Sequence, residues 1–144
     1  MKVSECMCNQ VSWVNPETTL VDVAKIMQEK HVGCIPVCDT NKKIVGLVTD
    51  RDIVLRGVAC NKNTATTPVS EIMTTAVYTV NPNSDVTEAG KIMCDCQIKR
   101  VPVIDNNTIV GIITLGDLAN NYGEDTGTVC EGICDCECQQ KNNG

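Results

Sequence analysis

The 144-residue chain contains 42% hydrophobic and 21% charged residues, as folded globular proteins do, but only 2% aromatic residues, so its core must be largely aliphatic. The net charge of −6 argues against a general affinity for nucleic acid. Residues 1–6 lack the apolar run of a signal peptide, and no segment approaches the ~18 apolar residues of a membrane span. We therefore expect a cytoplasmic protein with neither nucleic-acid nor membrane partners.

The chain repeats itself with an offset of 66 residues. Val3–Met7 returns as Val69–Met73, and Pro36-Val37 returns as Pro102-Val103. After a one-residue deletion in a turn, the two copies stay in register to the end of the repeat. The later matches are Thr49 with Thr114 and Asp52 with Asp117.

Each copy shows the periodicities of a β-α-β-β-α unit. Thr19 is placed to cap the first helix, whose apolar residues fall at helical spacing. In the first copy, we predict a strand over Val11–Val14, a helix from about Leu20, strands over Cys34–Cys38 and Ile44–Thr49, and a helix over Asp50–Arg56. In the second copy, the last strand and helix are predicted over Ile109–Thr114 and Leu115–Asn121.

These elements predict a mixed α/β (α+β) fold built from two repeats, residues 3–58 and 69–122. Residues 59–68 form a polar connector, and residues 123–144 are expected to be a cysteine-rich, flexible tail. One repeat of about 55–60 residues has only a marginal core. We therefore expect the two repeats to pack against each other about a pseudo-twofold axis.

A threonine and an aspartate recur at the junction between the last strand and the last helix of each copy. At Thr49 and Thr114, unpaired backbone N–H groups and the helix dipole would favour an anion such as a phosphate. Three residues on, the carboxylates of Asp52 and Asp117 could accept both hydroxyls of a ribose. The alternative is that these residues only cap the helices.

The chain resembles a tandem pair of CBS domains, known as a Bateman module, of the kind found in small stand-alone bacterial proteins. The resemblance covers about residues 3–122. It rests on a proline-containing strand in each copy and on a Gly-x-x-Thr-x-x-Asp signature. These motifs are Ile35-Pro36-Val37 and Gly46–Asp52 in the first copy, and Val101-Pro102-Val103 and Gly111–Asp117 in the second.

The resemblance implies a regulatory module that binds an adenine nucleotide in the cleft between the repeats. AMP, ADP, ATP, S-adenosylmethionine and NAD remain open as ligands. The binding event would change the conformation of a homodimer and signal to an effector protein in trans. An enzyme is not expected, because the sequence has one histidine and no nucleophile–base constellation.

Candidate contacts to a nucleotide fall into three chemical groups. The carboxylates and hydroxyls described above would bind ribose and phosphate. Apolar strand residues would hold the purine; they are Val14, Ile35, Pro36, Val80, Val101 and Pro102. Cations would pair with phosphate; they are Arg51, Lys99 and Arg100. Because Gly116 stands where the first copy has Arg51, the two sites are expected to be non-equivalent.

The 11 cysteines suggest a different function. Four closely spaced thiols in the tail could form a soft metal site for zinc, copper(I) or an iron–sulfur cluster. They are Cys130, Cys134, Cys136 and Cys138. The alternative function is therefore a thiol-based metal or redox-sensing module, and the simplest alternative to both is an acidic tail whose thiols have no specific role.

Overall fold

The computed structural model of the chain describes residues 1–121. The predicted tail, with its four candidate metal ligands, lies outside these residues. Within the described range, no helix has both the length and the apolar character needed to cross a membrane.

The helices begin and end close to where the sequence pattern places them. The first copy has α2 (Leu20–Lys30), β1 (Cys34–Cys38), β2 (Ile44–Thr49) and α3 (Asp50–Asp52). The second copy has α4 (Val86–Cys96), β3 (Arg100–Asp105), β4 (Thr108–Thr114) and α5 (Leu115–Asn121). The first copy begins with a short helix, α1 (Val3–Cys6), and the second begins with a 3₁₀ turn, Val69–Glu71; neither was predicted.

The helix predicted over Asp50–Arg56 changes its geometry after Asp52. From Ile53 to Val58 it is a π-helix, with the Ala59 N–H bonded to the Val54 carbonyl at 2.8 Å. A β-carbon at Gly57 would lie 3.0 Å from Cδ1 of Leu20, so glycine lets this helix approach α2 closely. Three large apolar side chains of this segment are exposed, Val54 (55%), Leu55 (47%) and Val58 (57%).

The sheets are antiparallel hairpins extended by isolated bridges. On β1 and β2, Cys34 lies opposite Thr49, and a register shift follows Val37. The strand predicted over Val11–Val14 is wrong as a strand within the described residues, because Val14 alone forms a bridge, parallel to Val37. The same single bridge recurs between Val80 and Val103 in the second copy.

The chain forms two compact units that do not coincide with the two sequence copies. The first unit comprises residues 11–77 and 107–109, and the second comprises residues 1–10, 78–106 and 110–121. Residues 1–10, here called the first arm, include the start of the first copy but belong to the second unit. Residues 69–77, the second arm, are the start of the second copy but belong to the first unit.

Each arm is held by backbone hydrogen bonds to its unit. In the first arm, Val3 N–H donates to the Ser84 carbonyl at 2.8 Å, and Cys8 and Ile112 exchange two bonds of 2.9 and 3.0 Å. In the second arm, Thr74 and Leu47 exchange the equivalent pair, at 2.8 and 2.9 Å. Each arm thus adds a bridge along the outer side of β4 or β2.

The cores follow this division. In the first unit, the buried face of α2 joins residues of β1, β2 and the second arm, including Val69 and Ile72. In the second unit, the buried face of α4 joins β3, β4 and the first arm, including Val3 and Cys6. The segment predicted as a connector, residues 59–68, also contributes to the first unit, because the Thr67 carbonyl accepts from Leu20 N–H at 3.1 Å.

Candidate functional site

The threonine and aspartate of the first signature form a reciprocal capping box. Thr49 Oγ1 accepts from the Asp52 N–H at 3.1 Å, and Asp52 Oδ2 accepts from the Thr49 N–H at 3.0 Å. The capping role that the sequence left as an alternative is therefore present. These bonds occupy one carboxylate oxygen and use the hydroxyl as an acceptor, so Oδ1 and the hydroxyl hydrogen can still bind a ligand.

The second signature repeats this geometry at the start of α5. Thr114 Oγ1 accepts from the Asp117 N–H at 3.1 Å, and Asp117 Oδ2 accepts from the Thr114 N–H at 2.8 Å. Both aspartates are half-buried. The fold therefore holds two carboxylates by the same pair of hydrogen bonds at equivalent strand-to-helix junctions.

Several backbone N–H groups that were expected to be unpaired at these junctions have acceptors. Besides the capping pairs, Asp50 N–H donates to the Gly33 carbonyl at 3.0 Å, and Arg51 N–H donates to Asp50 Oδ1 at 2.8 Å. In the second copy, Leu115 N–H donates to the Lys99 carbonyl at 2.8 Å. Any phosphate at these junctions would have to rely mainly on side chains.

The predicted apolar contacts lie in the cores rather than on an open surface. Ile35 and Val101 are completely buried, and Val14 and Val80 are 6% and 4% exposed. Pro36 and Pro102 are also buried, and their carbonyls accept from Val14 N–H at 3.0 Å and Val80 N–H at 3.1 Å. These side chains hold the strands that carry the signatures, and their direct contact with a purine remains a prediction.

The predicted cations differ in position between the copies. Arg51 is exposed in the first turn after Thr49 and borders an open depression of about 460 Å³. Lys99 and Arg100 are exposed at the start of β3, and the Lys99 carbonyl is tied to the residue after Thr114. Each unit therefore carries positive charge near its capping box, from α3 in one and from β3 in the other.

Three residues of this region were not predicted as part of a site. Asp50, Val54 and Leu55 border the same depression as Arg51. Val54 and Leu55 follow Asp50 and Arg51 by four residues, a spacing that places each pair on one helical face. That spacing was a usable signal, but the sequence does not show that this face is left exposed.

The described cysteines are thiols, and none forms a disulfide. Burial, followed by the charge of Asp39, raises the pKa of the Cys38 thiol to about 11. Burial, followed by the charges of Asp117 and Glu5, raises the pKa of the Cys6 thiol. Among residues 1–121, no group of three or more His, Cys, Asp or Glu side chains could hold a metal ion, and Cys130, Cys134, Cys136 and Cys138 lie outside that range.

Comparison with known proteins identifies similar chains. The CBS domain-containing protein YhcV of Bacillus subtilis is 42% identical over 119 residues, which cover 83% of this chain and 84% of YhcV. The crystal structure of Hypoxic Response Protein I with two coordinated zinc ions is 32% identical, with a TM-score of 0.79, over 85% of this chain and 99% of that one. A protein of similar name, Hypoxic response protein 1 of Mycobacterium tuberculosis, is 34% identical over 114 residues, or 79% of this chain and 80% of that protein.

A third similar structure contains ligands. The CBS domain pair of protein MJ0100, in complex with 5′-methylthioadenosine and S-adenosyl-L-methionine, is 28% identical with a TM-score of 0.77. The match covers 85% of this chain and all of that one. The family model of the CBS domain matches twice, over residues 3–58 and 69–124. These two matches, which include both Thr–Asp signatures, show that the chain belongs to the CBS-domain family and carries a tandem pair of CBS domains.

Proposed function

We propose that this CBS pair is a regulatory module that binds an adenosyl ligand at its Thr–Asp capping boxes. The main observation in support is the geometry of the two capping boxes. Each box holds a half-buried carboxylate in place and leaves Oδ1 and the threonine hydroxyl hydrogen available to a ligand. A carboxylate so placed suits the paired hydroxyls of a ribose. The adenosyl compounds in the similar MJ0100 pair support the same ligand class.

Within this proposal, the cations determine which adenosyl ligands bind most tightly. Arg51 in the first unit and Lys99 and Arg100 in the second would bind phosphate by charge, since the N–H groups of Asp50, Arg51 and Leu115 already have acceptors. AMP, ADP, ATP and NAD would use these cations. S-adenosylmethionine would depend on them less, because it has no phosphate.

The test is a thermal-shift and calorimetric titration of the reduced protein with these five compounds. A ligand present at 100 times its Kd should stabilise the native state by about 2.7 kcal/mol. Asp52→Asn and Asp117→Asn are the decisive variants, because asparagine retains an oxygen that can accept the capping N–H while removing the charge. Asp95→Asn, an exposed aspartate on α4, is the matched control.

The expected result is at least a tenfold loss of affinity in one or both signature variants and none in the control. A ligand that binds the variants and the wild type equally would contradict the assigned site. No stabilisation by any of the five compounds would contradict the adenosyl ligand class. Arg51→Ala and Arg100→Ala then show which unit binds the phosphate.

We further propose a homodimer formed through the exposed face of Val54, Leu55 and Val58. Three large apolar side chains on one six-residue helix favour burial against another chain. Leu55→Lys should shift the sedimentation coefficient toward the monomer. Val32→Lys, at a similarly exposed apolar residue, should leave it unchanged, and equal behaviour of the two variants would refute this interface. An effector protein acting in trans would receive the signal of this dimer.

A thiol-based metal module is the second candidate function. It is favoured by the four clustered tail cysteines and by the two zinc ions of the similar Hypoxic Response Protein I structure. Metal analysis of the full chain purified under reducing conditions tests it. Zinc that is lost when Cys130, Cys134, Cys136 and Cys138 are all replaced by serine would support this function, and unchanged or absent zinc would reject it.

A further inference from the structure

One methionine in each unit lies directly over a glycine of the signature strand. A β-carbon at Gly46 would come within 2.6 Å of the Met73 sulfur, and one at Gly111 would come within 2.6 Å of the Met7 sulfur. Such distances are far below van der Waals contact, so a side chain at either glycine would displace the thioether above it. The two contacts are equivalent in the repeat, and each is made by an arm.

Backbone carbonyl oxygens of the arms also lie beside the two signature glycines. The same β-carbon at Gly46 would meet the Thr74 carbonyl oxygen at 3.0 Å, and that at Gly111 would meet the Cys8 carbonyl oxygen at 2.9 Å. Carbonyl oxygens are hydrogen-bond acceptors, and an added oxygen on sulfur would also be an acceptor. It would therefore gain no hydrogen bond from these carbonyls.

Burial distinguishes Met7 and Met73 from the other three methionines. Met7 and Met73 are half-buried, whereas Met27 and Met93 lie in the cores and Met1 is half exposed. A small oxidant in solvent can therefore reach the arm methionines more readily than the core ones. Met1 is not among the atoms nearest to a signature glycine, but its sulfur accepts from the Cys6 thiol at 3.1 Å, so it serves as a reference for the order of oxidation only.

We propose that Met7 and Met73 are paired sites of reversible oxidation, and that formation of their sulfoxides releases each arm from its signature strand. The oxidant is a hydroperoxide. A sulfur lone pair attacks one peroxide oxygen, the O–O bond breaks, and a proton transfer completes the departing water or alcohol. Sulfur is oxidised by two electrons and the peroxide is reduced by two. The thioether becomes polar and larger and no longer fits over glycine.

Release of an arm would reach the site at the end of the same strand. The Leu47–Thr74 and Cys8–Ile112 hydrogen-bond pairs flank the methionine contacts, and Thr49 and Thr114 follow two residues after Leu47 and Ile112. In the second unit, the charge of Asp117 acts on the buried Cys6 thiol of the first arm. The oxidation itself requires no bound ligand, so it can be tested independently of adenosyl binding.

In the experiment, the full-length protein is treated with increasing concentrations of hydrogen peroxide and then with dithiothreitol. Dithiothreitol reduces disulfides and sulfenic acids back to thiols but does not reduce methionine sulfoxide. Peptide mass spectrometry locates the sulfoxides, and hydrogen exchange reports on the arm segments. Met1 should be oxidised first, Met7 and Met73 next, and Met27 and Met93 last. Oxidation of Met7 and Met73 should increase amide exchange at least tenfold in residues 1–10 and 69–77 and lower the Tm by about 5 °C.

Methionine sulfoxide reductases for both epimers should restore the protection of the arms. Met7→Leu and Met73→Leu are made singly. In each variant, peroxide should increase amide exchange only in the arm whose glycine-contacting methionine remains, so each unit is a control for the other. Met27→Leu should respond as the wild type does, and any effect of cysteine oxidation is common to all variants.

Three results would overturn the proposal. Met7 and Met73 could be oxidised without a change in the amide hydrogen exchange of the arms, or they could resist peroxide as strongly as Met93. The arms of the leucine variants could also lose protection as fully as those of the wild type. If a leucine variant does not fold, the wild-type protein still decides whether the arms are released. The deciding measurements are the order in which its methionines are oxidised and the amide hydrogen exchange of its two arms.

Discussion

Gly111 lies beneath the carbonyl oxygen of Cys8, so that a β-carbon at position 111 would approach that oxygen to 2.9 Å. Because a backbone atom cannot turn away as a side chain can, Gly111→Ala should displace the first arm. We expect a loss of about 1–3 kcal/mol in the free energy of unfolding, measured in urea. Gly116→Ala is the control, since its nearest contact would be an ordinary 3.6 Å, and it should stabilise α5 by about 0.5–1 kcal/mol. Equal effects of the two variants would contradict the close approach.

The capping boxes should contribute to stability without any ligand. Thr49→Val and Thr114→Val keep the shape of the side chain but remove the oxygen that accepts from Asp52 N–H or Asp117 N–H. Each should cost about 1 kcal/mol in the free energy of unfolding. Thr40→Val, in an exposed turn, should change it little. A negligible cost at both signature threonines would mean that the boxes do not stabilise the helices.

The carboxylate of Asp85 should make stability depend on pH in acid. Its pKa is lowered first by the hydrogen bond from Thr87 N–H, then by that from the Thr87 hydroxyl, with a smaller contribution from the α-amino group of Met1. Stabilisation by a carboxylate with a lowered pKa is complete above its unfolded pKa and is lost as pH falls through the folded pKa. Asp85→Asn should therefore be less stable than wild type near pH 7, and the difference should shrink as the pH falls below the ordinary pKa of an aspartate and then through the lowered pKa of Asp85. A constant difference across this range would exclude this linkage.

The thiol of Cys38 should respond to alkaline pH in the opposite sense. Burial raises its pKa from 9.0 to about 11, so its contribution to stability is complete below pH 9 and is lost as pH rises toward 11. At pH 8, mass spectrometry after alkylation should show Cys38 reacting at least tenfold more slowly than the exposed Cys8 and Cys60. Equal labelling of the three would show that Cys38 is accessible.

Both long helices end on a non-glycine residue in the left-handed region. His31 after α2 has φ 54° and ψ 44°, and Gln97 after α4 has φ 59° and ψ 40°. Glycine adopts this conformation without a steric penalty, so His31→Gly and Gln97→Gly should each stabilise the protein by about 1 kcal/mol. Lys30→Gly, one residue earlier and still helical, should destabilise it by a similar amount. Thermal unfolding of the three variants measures the contrast.

Local chemistry explains what could be predicted from the sequence. Thr19 marks the start of α2 because its side chain accepts from Asp22 N–H, and the period of apolar residues identifies the buried face. The pairing of Thr49 with Asp52 follows from their three-residue spacing at a helix start. These relationships involve residues close together in the chain, where propensity and hydrogen bonding decide the geometry.

The features that escaped prediction depend on contacts between distant residues. Val3–Met7 and Val69–Met73 match each other in sequence, but a match does not reveal on which unit an arm packs. The close approach of Gly57 to Leu20 and the single bridge of Val14 to Val37 both join residues that are distant in the chain. The acceptors of the Asp50 and Leu115 N–H groups, which are the Gly33 and Lys99 carbonyls, are likewise distant from them in the chain.

The exchange of arms bears on how a chain of this kind can originate. A polypeptide with a single copy would carry an arm shaped for the outer strand of another copy, so two such molecules would complete each other by reciprocal domain swapping. Joining two genes end to end would turn that exchange between molecules into one within a molecule. Duplication would then preserve every contact of the ancestral swapped pair and remove its dependence on protein concentration. The two copies could then diverge, because a single chain does not require them to be identical. The equivalent positions 51 and 116, which now carry Arg51 and Gly116, are an example.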